Sequence, residues 1–228
     1  MNITTISLTG PDGVGKSTAA RLICELLGEY SRNSKVVGFG TYIYQEVSAA
    51  FGVPEDLLRD QGLKNTPIKA LALALCRRPE FMDAVERHFH GGTREGGIVE
   101  GERINLDLPR SPRQILRWWA TEYRRRQNPM YWVDRYASDF DSWRSWGCFP
   151  IAQDLRDKPE ADFTRSVGGQ VWAVTSFERG AKVIEHSTQV TGREFDPEVT
   201  ICNSGSLPNL RAQLHRQLHL QGLLPRSP

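Results

Sequence analysis

Residues 10 to 18 read Gly-Pro-Asp-Gly-Val-Gly-Lys-Ser-Thr, a complete G-x-x-x-x-G-K-[ST] phosphate loop, and they follow directly on the β-rich run Ile3 to Thr9. A strand that ends in such a loop and re-enters the fold as a helix constrains the chain to a parallel α/β sheet. The physical basis is local. Glycines at 10, 13 and 15 let the backbone N–H groups of Gly13, Val14, Gly15 and Lys16 turn inward around a polyphosphate. Lys16 supplies a cation to the β and γ phosphates, and Ser17, followed by Thr18, offers a hydroxyl to magnesium. A helix over Ser17 to Glu25 then points its positive end at the same anion.

Composition places the chain among ordinary globular proteins: 228 residues, 25% charged and 39% apolar. That length suits one elaborated α/β domain or two small ones. With no run of eighteen apolar residues and no signal-like N-terminus, the expectation is a cytoplasmic protein without a membrane partner. Four scattered cysteines, Cys24, Cys76, Cys148 and Cys202, form no C-x-x-C pair, so neither a zinc knuckle nor a disulfide framework is expected. A net charge of only +2 argues against a surface built throughout for nucleic acid.

Five β-rich runs are predicted: Ile3 to Thr9, Lys35 to Phe39, Phe149 to Gln153, Gln170 to Thr175 and Val199 to Cys202. Helical sequence separates most of them, the signature of a parallel sheet covered on both faces. The expected architecture is a three-layer α/β P-loop kinase core over residues 1–40 and 148–228, with a lid at about 177–195 that carries Arg179 and Arg193. Residues 41–147 form a helical insertion expected to bind the phosphoryl acceptor. Within it, Ser111-Pro112-Arg113-Gln114 predicts a helix start, with Ser as N-cap and Pro at the first position. Asn128-Pro129 predicts another. His90 to Gly97 reads as a loop, with His88 assigned to its approach, and Ile98 to Leu106 as a short hairpin.

Two constellations point to chemistry. On a helix over Pro112 to Gln127, Arg113, Arg117 and Arg124 fall within about 40° of one another at the α-helical period, opposite Ile115, Trp118, Trp119 and Tyr123. Such a basic face is a solvated surface in many proteins, but beside a phosphate loop its guanidinium forks suit acceptor phosphate oxygens. Asp154 ends an apolar strand, where a second carboxylate holds magnesium directly or through water, and Arg156 follows close enough to meet the transferred group. His215 and His219 are spaced i, i+4 on the C-terminal helix, yet no further ligand pattern completes a metal site.

Taken in order, the phosphate loop, Arg113-Gln-Ile-Leu with Asn128-Pro-Met-Tyr-Trp132, Asp154-Leu-Arg156 with Glu160 and Asp162, His186-Ser-Thr188 and Asn203-Ser-Gly-Ser-Leu207 resemble the deoxynucleoside monophosphate kinases of tailed phages. These belong to the adenylate-kinase-like group of P-loop kinases. The resemblance covers most of the chain. It implies ATP as donor, Mg²⁺ as cofactor and a deoxynucleotide as acceptor. It also implies Arg113 on acceptor phosphate, Asp154 and Arg156 at the transfer site, and Asn203, Gly205 and Ser206 beside the adenine; Arg117 joins the acceptor set through the basic face it shares with Arg113. Glu160 falls in the acceptor set, and so does Tyr44, which stands where the family usually carries Lys. Gln189 stands where a Glu is usual. Members of the group often dimerise through the insertion, so a homodimer is expected.

Asp12 follows another pattern. It makes the loop similar to that of thymidylate kinases, which read G-x-D-G-x-G-K-S-T and use the Asp on the acceptor sugar. The acceptor is therefore expected to be a thymine-like or modified pyrimidine nucleotide. A related reading replaces it with the hydroxymethyl group of a 5-hydroxymethyluracil base within phage DNA, with Asp12 or Asp154 as base. A third is a nucleotide-gated binding module without catalysis.

Overall fold

The computed structural model describes residues 3–90, 104–176 and 195–225. They contain a five-stranded, all-parallel sheet in the order Ser34–Val37, Phe149–Ala152, Ile6–Thr9, Gln170–Thr175 and Val199–Cys202. In chain order the elements begin β1 (Ile6–Thr9), α1 (Lys16–Glu29), β2 (Ser34–Val37), α2 (Thr41–Phe51), α3 (Glu55–Arg59) and α4 (Pro79–His90). They continue α5 (Pro112–Arg117), a π-helix (Trp118–Arg125), α6 (Tyr131–Ser145), β3 (Phe149–Ala152), α7 (Lys158–Ser166), β4 (Gln170–Thr175), β5 (Val199–Cys202) and α8 (Leu207–Leu220). All five predicted strands form, and the β4 and β5 bounds are those expected. The first three are shorter than their apolar runs.

The chain divides into two compact units, one of Met1–Phe39 with Val133–Pro228 and the other of Gly40–Trp132. The first contains the sheet. Its central strand β1 is fully buried and two-faced. Ile6 and Leu8 enter an apolar cluster with Leu22, Ile23 and Leu26 of α1 and Leu210, Leu214 and Leu218 of α8. Full burial of each such side chain contributes about 1.5–3 kcal/mol. The alternate residues carry hydroxyls on the other face: Ser7 Oγ and Thr164 Oγ1 of α7 share a buried hydrogen bond of 2.8 Å, and Thr5 Oγ1 donates to Pro150 O. Helices therefore pack on both faces of the sheet, an arrangement compatible with a three-layer α/β fold.

Residues 133–147, expected within the insertion, cluster with the sheet unit because their aromatic rings pack there. Tyr136 stacks on Phe39 with centroids 4.4 Å apart and meets Trp143 edge-on at 5.3 Å; Phe163 of α7 lies 5.6 Å from Phe140. Such aromatic contacts hold the helix in the unit by geometry as well as area.

The second unit is helical. Ser111 caps α5 as predicted, its Oγ accepting from Gln114 N at 3.3 Å, with Pro112 at the first turn. Beyond Arg117 the backbone widens into a π-helix, in which Arg126 N reaches back five residues to Thr121 O. The aromatic core dictates this. Trp118, Trp119 and Tyr123 are all buried, Trp119 against Phe81 at 4.7 Å and Trp118 against Phe89 at 5.1 Å. The Trp132 indole secures the wide turn by donating to Ala120 O at 3.2 Å. The stretch Ile68 to Cys76, helix-compatible in sequence, forms two single 3₁₀ turns, Lys69–Leu71 and Leu73–Leu75.

His88, expected on a loop approach, lies within α4 with Nδ1 2.9 Å from Glu122 Oε2. The lid expected at 177–195, with Arg179 and Arg193, lies outside the described residues except for Phe195, and so do His186 to Gln189. Most of the loop expected at His90 to Gly97 and of the hairpin at Ile98 to Leu106 lies outside them too. Among the described residues no helix is long and apolar enough to cross a membrane.

Candidate functional site

Strand β1 delivers its loop at the C-terminal edge of the sheet, between β3 on one side and β4 on the other. Crevices in open parallel sheets form at such points, outside the carboxyl ends of the strands. Gly10, Gly13 (φ +78) and Gly15 all adopt backbone that favours glycine. Gly10 has φ +138, and a Cβ there would meet Val174 O of β4 at 2.2 Å. Gly15 has φ +99 and forms the left-handed N-cap of α1. The first turn of α1 contains no acidic residue, so the positive helix end is left for an external anion.

Lys16 is folded back on this loop. Its Nζ donates to Gly10 O at 2.7 Å and Pro11 O at 2.8 Å, and it stands 4.0 Å from Asp12 Oδ1. Burial holds its pKa below the usual lysine value; the nearby Arg156 also lowers it, while Asp12 and Asp154 oppose the shift. Asp12 in turn pairs with Arg156, Nη2 to Oδ1 at 3.2 Å, both side chains well exposed. Ser17 is exposed at the start of α1, and Thr18 follows it half-buried.

Asp154 lies just past β3, next to the loop strand. Its Oδ1 accepts from Phe39 N at 2.8 Å, which ties the carboxylate to the chain leaving β2. Ser17 and Asp154 offer only oxygen ligands, the set a hard cation takes together with phosphate oxygens and water. Among the described residues no group of three or more His, Cys, Asp or Glu gathers as a metal cage.

Glu160 is buried and caps its own loop: Oε2 accepts from Arg156 N at 2.7 Å and Asp157 N at 3.2 Å, completing the capping box of α7. On the other side of the phosphate loop, Asn203 follows β5, and its Nδ2 donates to Val14 O at 2.9 Å. Ser206 caps α8 through Asn209 N, and Gly205 packs against the Asn209 side chain. Residues from four stretches of sequence, 10–18, 154–156, 160 and 203–206, thus belong to one edge of the sheet unit.

The remaining predicted site residues belong to the second unit. Arg113 and Arg117 are exposed on α5. Tyr44, on α2, is covered by the Arg59 guanidinium 4.0 Å from its ring centroid. Arg124 leaves the face expected for it. In the π-helix fewer degrees separate successive residues, so over seven positions it falls out of step with Arg117. It turns instead toward Glu46, whose carboxylate accepts from Arg124 Nε and Trp119 Nε1 at 2.8 Å each and from Tyr131 OH at 2.5 Å. No local pattern marks Glu46, a lone acid on an apolar helix. Only the fold gathers its three donors. Compared with models of known protein families and with curated proteins, the chain matches none.

Proposed function

We propose that this chain is an ATP-dependent phosphotransferase that moves the γ-phosphoryl group to a deoxynucleoside monophosphate, with a thymine-like or modified pyrimidine as base. The observation that carries this reading is the phosphate loop leaving the central strand of a parallel sheet, with Asp154 at the end of the neighbouring strand. In this reading the loop amides and the α1 terminus bind the donor phosphates. Lys16 exchanges its two carbonyl partners for phosphate oxygens. Ser17 and Asp154 would hold a Mg²⁺ ion, which would supply charge neutralisation for the donor phosphates. Arg156 turns from Asp12 to the transferring group, whose developing charge it stabilises.

A second reading keeps fold and donor but takes a hydroxymethyl group of DNA as acceptor. Asp12 favours it. Its carboxylate is more than half exposed within the loop, where it is able to accept a proton from an alcohol. A monophosphate dianion needs no such base.

Transfer of labelled γ-phosphate, measured in parallel on free deoxynucleoside monophosphates and on duplex DNA containing 5-hydroxymethyluracil, tests both. The first reading expects turnover of a monophosphate and no salt-sensitive DNA binding. Transfer to the duplex alone, with affinity falling steeply as salt rises, establishes the second. Nucleotide binding without transfer to either would leave only a binding module.

A further inference from the structure

The π-helix places Arg124 where neighbouring side chains fix its orientation. Residues five apart on an α-helix point about 140° apart. The i→i+5 geometry of Trp118–Arg125 brings Trp119 and Arg124 to one side, where both donate to the same Glu46 oxygen. Tyr131 OH holds the other oxygen. Glu46 therefore has three donors and a fixed orientation.

Arg124 is held by one edge only. Its Nε is bound to Glu46, and its guanidinium carbon lies 4.4 Å from the Tyr123 ring centroid and 4.7 Å from that of Tyr131. Among the described residues neither Nη has a hydrogen-bond partner, yet neither is a buried orphan, so this outer edge meets solvent. The side chain as a whole is 21% exposed: clamped, but reachable.

Five other described arginines of this unit differ. Arg59 is bonded to Glu55 and lies over Tyr44; Arg110 is buried, with Nε enclosed and Nη2 on Asn105 O. Arg117 and Arg125 have further partners of their own. Arg113 is exposed, and among the described residues no side-chain partner orients it. Two parallel N–H groups on a rigid guanidinium match two oxygens of a phosphate, and prior orientation removes most of the entropy such a contact costs.

We infer that the Nη edge of Arg124, oriented by Glu46, is a preformed fork for the phosphate monoester of the acceptor nucleotide, with Glu46 as its positioning residue. This rests on the phosphotransferase reading for the identity of the ligand, but not for the existence of the site.

The test uses the full chain and dTMP, with steady-state kinetics alongside calorimetric dTMP binding in a Lys16→Ala background that removes the loop's own phosphate affinity. Arg124→Gln is expected to raise the dTMP KM and Kd ten- to hundredfold, the range for a lost charge-assisted hydrogen bond, with the ATP KM unchanged. Arg124→Lys, which keeps charge and fold but not the fork, is expected to fall between Arg124→Gln and wild type. Glu46→Gln is expected to raise the KM severalfold in the wild type and to add nothing to Arg124→Gln, a non-additivity that general loosening of the fold would not produce. Unchanged dTMP affinity in Arg124→Gln or full affinity in Arg124→Lys overturns the fork, and so does a parent that binds neither dTMP nor duplex DNA. Loss of duplex binding in place of dTMP binding assigns it to a DNA backbone and overturns the monophosphate ligand. If the chain binds dTMP through Arg124 but transfers nothing to it, the fork stands and the proposed reaction falls.

Discussion

The side-chain amide of Asn203 donates to the Val14 carbonyl at 2.9 Å, and the same Nδ2 lies 2.4 Å from where a Cβ on Gly15 would project. Asn203 N is also bound to Thr175 O at the end of β4. The chain leaving β5 thus braces the phosphate loop from a point 189 residues away in sequence.

Removing the brace is expected to loosen donor binding. Asn203→Ala leaves Val14 O without this partner and is expected to raise the ATP KM about two- to tenfold, the value of one ordinary hydrogen bond. Gly15→Ala is expected to do more, because it forces a Cβ both into left-handed backbone and into the Asn203 amide. ATP titration and thermal melts of both variants check this; equal effects would remove the steric argument.

Lys16→Ala is expected to abolish turnover while the chain remains folded, and turnover within about tenfold of wild type, 1.4 kcal/mol of barrier, would refute its role. Its pH behaviour adds a second check. Because burial lowers the folded pKa, the native state loses this proton before the unfolded state does. The cost of burying the charge is present at neutral pH and is relieved as pH rises through the folded pKa toward 10.5. Wild-type stability relative to Lys16→Met is therefore expected to increase over that alkaline window, while ATP affinity, which needs the cation, declines. Chemical denaturation and nucleotide titration across the same pH series test the opposite signs.

Arg156 and Asp12 are both well exposed, so their ion pair contributes at most about 1 kcal/mol to stability. Arg156→Ala is expected to leave the melting temperature nearly unchanged and to lower kcat, by about 10²–10³ if it stabilises the transferring group as one electrostatic donor does. Arg113→Ala is expected to act mainly on the acceptor KM. Asp12→Asn discriminates between acceptors: mainly a binding loss with a monophosphate, a rate loss of about 10²–10⁴ with an alcohol.

Glu160→Ala is expected to act on stability first. The buried carboxylate accepts from two part-buried backbone N–H groups, and removing these bonds costs about 0.5–1.5 kcal/mol each, more where a donor stays shielded from water. Urea denaturation should register this loss. Glu160→Gln, which keeps one acceptor oxygen, should recover part of it.

Local physics made much of this molecule legible in its sequence. Strands β4 and β5 announce themselves by β-branched and aromatic residues between turns, Ser111 and Pro112 mark a helix start within four residues, and the phosphate loop is a contiguous string whose glycines specify its backbone. What the sequence could not determine depends on distant pairs. The strand order, the bracing of Val14 by Asn203 and the association of Tyr136 with Phe39 each join groups that no periodicity links. The π-helix is the clearest case. Its residues read as an ordinary amphipathic helix, because helical period is inferred from one chain segment alone. Burial of Trp118, Trp119 and Tyr123 against Phe81 and Phe89, and the shared Glu46 oxygen for Trp119 and Arg124, favour a wider turn that only tertiary packing rewards.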